Sequence, residues 1–199
     1  MTGERRGPLV VALVITGLLA IDAGVIAYVR DPGVVESHGT PKRDDALPSL
    51  CRNISEAALA RARTTNPNGQ ASSEQESGTG KYTVCSWNQT EGVDGTGLRK
   101  TRVAVSSDLR HARIAYEQAV QQARRGTTTQ RTIDDLGDQA SLVRREENGT
   151  VSIIVWKGDS VTEVVHSGRD ADRSGSVEPD PEELEAAALP LAREMVAGL

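Results

Sequence analysis

The sequence predicts an α+β protein: one transmembrane helix, then a domain with a mostly antiparallel sheet of about five strands and helices on one face. Three observations carry this expectation. They are an apolar run near the start, later segments of period-two alternation, and amphipathic segments bounded by helix caps.

Residues 9–29 run twenty-one positions with one charged residue, Asp22. At ~1.5 Å rise per residue such a helix spans the ~30 Å hydrocarbon core of a bilayer. The expected organisation is a tail over 1–8, an anchor over 9–29, a stalk over 30–46 and a domain over 47–199. The stalk is rich in Pro, Gly and charge and has no apolar period. A cleaved signal peptide is the rival, with 9–20 as its apolar core and Ala23 at the cut. Ile21 and Asp22 suit that cut poorly and residues 24–29 stay apolar, which favours an uncleaved anchor. A carboxylate in the span costs ~2.5–3.5 kcal/mol near the bilayer centre, so Asp22 either meets a partner helix or sits off-centre and reaches water.

Flanking charge leaves the orientation open, because Arg5 and Arg6 before the span are matched by Arg30, Lys42 and Arg43 after it. The cysteines argue further. Cys51 and Cys85, the two in the chain, both follow the span, and a lone pair fits one disulfide in an oxidising compartment. Two unrelated buried thiols are the alternative. The disulfide places the tail inside and the domain outside.

Within the domain, residues 55–62 form a short Ala-rich helix. Residues 64–80 are Asn, Gly, Ser, Gln and Glu with little to bury, which predicts a mobile loop. Residues 82–88 and 98–105 alternate as two strands, with Cys85 and Trp87 on one face and a turn at 92–97. Asp108 is the expected N-cap of a helix in which Leu109, Ala112, Tyr116, Ala119, Val120 and Ala123 recur at helical spacing, ended by Gly126. After a polar loop, 140–145, 151–157 and 161–166 alternate as three strands joined by turns at Asn148-Gly149 and Gly158-Asp159. Asp180-Pro181-Glu182-Glu183 caps a final helix to about Ala197, with Leu184, Ala188, Leu191 and Met195 inward.

Cys51 before a short Ala-rich helix, Cys85-Ser86-Trp87 after a variable loop, and the turn Leu136-Gly137-Asp138-Gln139-Ala140 together carry a resemblance. Over roughly 47–198 the chain resembles the actinobacterial secreted and lipoprotein family known as domain of unknown function 3558. The resemblance implies an extracytoplasmic, disulfide-linked α+β domain, similar in style to sensor domains of receptor kinases, and brings no catalytic residues. The chain departs from it in having no lipobox, with a helix in its place.

No catalytic constellation emerges. His38, His111 and His166 share no ligand spacing, and no nucleophile elbow, phosphate loop or zinc-type cysteine set is present. Asp170-x-Asp172-x-Ser174-Gly175 matches the early positions of a calcium loop, but Pro181 stands where a bidentate Glu is needed. The expectation is therefore no metal and no cofactor. The net charge of −5 opposes a nucleic-acid surface. The expected function is a non-enzymatic, single-pass protein displaying a binding domain outside the cell toward another envelope or membrane protein. A subunit recruited through the membrane helix and Asp22 is the first alternative, and an unrecognised cell-envelope hydrolase the second.

Overall fold

The computed structural model describes residues 47–78, 80–172 and 175–199; the side chain of Asp172 is not among the described groups. The anchor, Asp22, the stalk, His38 and Ser174 lie outside the described residues. No described helix is long and apolar enough to cross a membrane.

Among the described residues nine antiparallel strands form one sheet, where about five were expected. They are β1 (Asn66–Pro67), β2 (Ser73–Ser77), β3 (Gly80–Asn88), β4 (Gly97–Ser107), β5 (Thr128–Thr132), β6 (Gln139–Arg145), β7 (Thr150–Lys157), β8 (Ser160–Asp172) and β9 (Gly175–Val177). The order is β1-β3-β4-β8-β7-β6-β5. β2 shares the outer edge of β3 with β1, and β9 pairs with the far end of β8. Three α-helices are present among the described residues: α1 (Glu56–Arg61), α2 (Ala112–Ala123) and α3 (Pro181–Ala197).

The extra strands share one physical origin. β1, β2, β5 and β9 border the sheet or extend it, and the side chains of β2 and β9 are exposed on both faces. Backbone pairing holds them, so they carry no apolar alternation to announce them. The 64–80 segment expected to be a mobile loop instead supplies β1, a 3-10 turn at Gly69–Ala71 and β2, which pairs with β3 from Ser73↔Val84 to Ser77↔Gly80.

Helices cover both faces of the sheet, not one. On one face, Cys85, Trp87, Val103, Val105, Leu142, Ile153 and Val164 meet Leu184, Ala188, Leu191 and Met195 of α3 and Ala58 and Leu59 of α1. On the other, Val143, Ile154 and Val161 meet Ala112, Tyr116, Val120 and Ala123 of α2. Adjacent residues in a strand point to opposite faces, so the apolar run through Ile153 and Ile154 requires a cover on each side.

Capping fixes the helix ends. Asp180 accepts from the Glu182 amide at 2.9 Å, with Pro181 opening α3 as expected. Lys157 donates to the Val196 carbonyl at 2.8 Å near the other end. Ser55 caps α1 by accepting from Ala58 at 3.1 Å, and its own hydroxyl and amide donate to Glu194 of α3. Asp108 does not cap α2. It has φ +59°, Leu109 donates to the Asp159 carbonyl, and the helix starts at Ala112 after His111. The left-handed residue ends β4 and turns the chain, leaving no side chain to cap α2.

Candidate functional site

The Cys51–Cys85 disulfide joins the 3-10 turn Ser49–Asn53 to the centre of β3, with a Cα–Cα separation of 5.5 Å. Both cysteines are buried beside Trp87 in the core under α3. The bridge therefore ties this turn to the sheet.

Farther along the same face lies a charged cluster that no local motif announces. Arg99 of β4 is buried, and its guanidinium donates to both oxygens of Asp170 (2.8 and 2.9 Å) and to Glu183 of α3 (3.2 Å). Arg63, just after α1, reaches the same Asp170 at 2.9 Å and donates to the carbonyls of Asp94 and Thr96. Gly168 stands opposite Arg99 in the ladder, and a Cβ there would collide with Leu98 and lie 2.8 Å from Arg99 Cδ. Its missing side chain is what lets the arginine stem lie across the strand. Asp94 closes the neighbouring loop by accepting from the Thr65 amide and hydroxyl and the Thr90 amide.

Beneath this cluster runs a buried polar column. The Thr64 hydroxyl contacts the Thr101 hydroxyl at 2.9 Å, and Thr101 contacts His166 Nδ1 at 3.0 Å. Burial pushes the imidazole down to about 4, and the Arg99 and Arg63 charges act the same way, opposed by a hydrogen bond to the Lys100 backbone. At neutral pH His166 is an uncharged core residue.

The cluster is a strut between α1, β4, β8 and α3. Two guanidiniums meet two carboxylates, and guanidinium does not exchange protons near neutral pH. Asp170, the first position of the candidate calcium loop, holds two arginines with its oxygens, an arrangement that opposes a divalent cation. No group of acidic, histidine or cysteine side chains among the described residues is arranged to hold a metal.

The other face carries Glu163. Burial raises its pKa above the usual carboxylate range, and the charges of Arg102 and Arg145 only partly offset this. Next to α2 there is a hollow of about 420 Å³, where Leu109, Ile114 and Ala115 supply apolar surface and Asp108, Arg110, His111 and Gln118 supply polar groups. Ile114 is 50% exposed there. The hollow is open to solvent and sets apolar surface beside polar groups. His111, expected within the helix, instead precedes its first residue and lines the hollow. The sequence pattern missed this place because the hollow forms where the β3 hairpin at Gly78 meets the start of α2, far apart in the chain.

Fold and site together define a disulfide-linked α+β domain built on one large antiparallel sheet. No family model, curated protein or solved structure matches the chain.

Proposed function

We propose that residues 47–199 are the extracytoplasmic binding domain of a single-pass membrane protein, with 9–29 as anchor, 30–46 as stalk and 1–8 as inner tail. The observation that carries this reading is the buried Cys51–Cys85 bridge, because such bonds persist in oxidising compartments and are rare in reducing ones. The apolar run over 9–29 supports the anchor, and the resemblance to domain of unknown function 3558 supports the placement outside the cell. The hollow beside α2 is where this reading puts the ligand, with Ile114 as apolar contact and His111 and Arg110 as polar ones. The partner is another envelope or membrane component, and the role is binding, without a cofactor.

The test uses the full chain in its own membrane. Protease added to intact cells is expected to remove the stalk and domain and spare the tail, and mass mapping without reductant is expected to recover a Cys51–Cys85 peptide. Free thiols at both positions, or a domain cut only in inverted vesicles, overturn the reading. Affinity capture from solubilised membranes then separates the two binding modes. An Ile114→Glu chain is expected to lose its partner while an Asp22→Leu chain keeps it; the reverse result favours recruitment through the membrane helix.

A further inference from the structure

The sheet has two outer edges, and they are protected unequally. Along β3 the edge is divided between β1, which contains Pro67, and β2, which carries Glu74 and Glu76. Proline and charge are standard ways to block edge-to-edge pairing. At the opposite side β5 pairs only with β6 among the described residues, reads Thr-Thr-Gln-Arg-Thr, and is exposed from Thr129 onward. Its single charge, Arg131, is drawn to Glu185 of α3 at 2.9 Å. α2 packs on β6, β7 and β8, and α3 mainly on β7 and β8, and among the described residues no strand pairs with the outer rim of β5.

The direction of the free backbone groups follows from two hydrogen bonds. Glu146 N–H donates to the Thr127 carbonyl, and Ile133 N–H to the Ala140 carbonyl. Antiparallel pairs alternate between bonded and non-bonded, so Thr127, Thr129, Arg131 and Ile133 turn their backbone groups toward β6. Thr128, Gln130 and Thr132 therefore present N–H and C=O outward. A second β5 running antiparallel about a two-fold axis at Gln130 sets Gln130 against its counterpart and each Thr128 against a Thr132. Every outward residue then meets an outward residue, Thr stands across from Thr, and Arg131 faces Thr129. Centring the axis on Arg131 instead opposes two like charges and leaves Thr128 unpaired.

We propose that β5 is a homotypic edge, at which a second copy of this chain adds its own β5 and continues the sheet across a two-fold axis at Gln130. The interaction is β-augmentation in isologous form. It is independent of the ligand proposed for the hollow beside α2.

The experiment uses the full-length protein in its membrane with Gln130→Cys. Both native cysteines are bridged, so the new thiol has no intramolecular competitor. Bonded antiparallel residues have Cα atoms about 5.5 Å apart, within the ~4.4–6.8 Å that a disulfide spans. Mild oxidation is expected to yield a reducible dimer, and Gln75→Cys on β2 is expected to yield none. Gln130→Pro deletes an N–H that β6 does not use, and Gln130→Glu opposes two carboxylates on the axis. Both substitutions also alter the Gln130 Nε2–Ser141 Oγ hydrogen bond, so the melting temperature is followed alongside; dimerisation of the solubilised full chain is expected to weaken about tenfold or more in sedimentation while the domain stays folded. A Gln130→Cys chain that stays monomeric, or that cross-links only to a different protein, overturns the proposal. So does a dimer indifferent to both Gln130→Pro and Gln130→Glu.

Discussion

The face of the sheet under α3 buries a disulfide, an arginine and a histidine, whereas the face under α2 keeps Glu163 at the margin of a thin aliphatic layer. The same strands build both faces, since alternate residues of β4, β7 and β8 point each way. The difference lies in partners. Arg99 has two carboxylates, and His166 has Thr101 and the Lys100 backbone, so these two large buried polar groups are satisfied. Glu163 has two arginine charges in its neighbourhood, yet desolvation outweighs them. Burial of a polar group is tolerated in proportion to the hydrogen bonds waiting for it.

The largest way to break the contrast is at the disulfide. A loop with a sequence separation of 34 residues contributes about 3–4 kcal/mol in the chain-entropy model. Cys85→Ser is therefore expected to lower the melting temperature by on the order of 10 °C for a domain of this size. A shift below about 2 °C in thermal denaturation would mean that the α3 face does not depend on the bridge.

Next in size is the pH response of His166. Its folded pKa, about 4, lies below the ordinary value of 6.5, so in that window the unfolded chain takes up a proton that the folded one refuses. The stability is complete above about pH 6.5 and falls as pH drops toward 4, by up to on the order of 3 kcal/mol. An NMR titration is the direct check, since the chain has three histidines. The His166 ring is expected to stay neutral through pH 5. A His166 midpoint near 6.5 removes this side of the comparison.

The smallest effect tests the α2 face. A raised folded pKa means that Glu163 holds its proton more tightly in the fold, so its contribution is lost as pH rises through that value. Glu163→Gln is expected to stabilise the domain at pH 7 by up to about 1 kcal/mol and to have no effect at pH 3.5. Destabilisation at pH 7 would show that Arg102 and Arg145 hold the carboxylate more strongly than burial opposes it.

Much of the fold was legible because local chemistry and tertiary context agree. Asp180-Pro181 starts α3, Gly149 and Gly158 turn their hairpins with positive φ, and Cys85 shares a face with Trp87 as the period of two requires. Where the sequence was misleading, a long-range term decided. Asp108 has the residue type of an N-cap but ends a strand. The polar 64–80 segment looks unable to fold, yet β3 offers it an open ladder.

By itself the sequence determined the α+β class, the two cysteines fit for one bridge, the main strands and the boundaries of α3, because these rest on periodicity and capping within one element. Only the tertiary structure decided that the sheet has nine strands, that helices cover both its faces, and that Arg63, Arg99, Asp170 and Glu183 meet. Edge pairing uses backbone groups that every residue carries, and the Arg99–Asp170 pair joins positions 71 residues apart. Neither leaves a local pattern in the order of side chains.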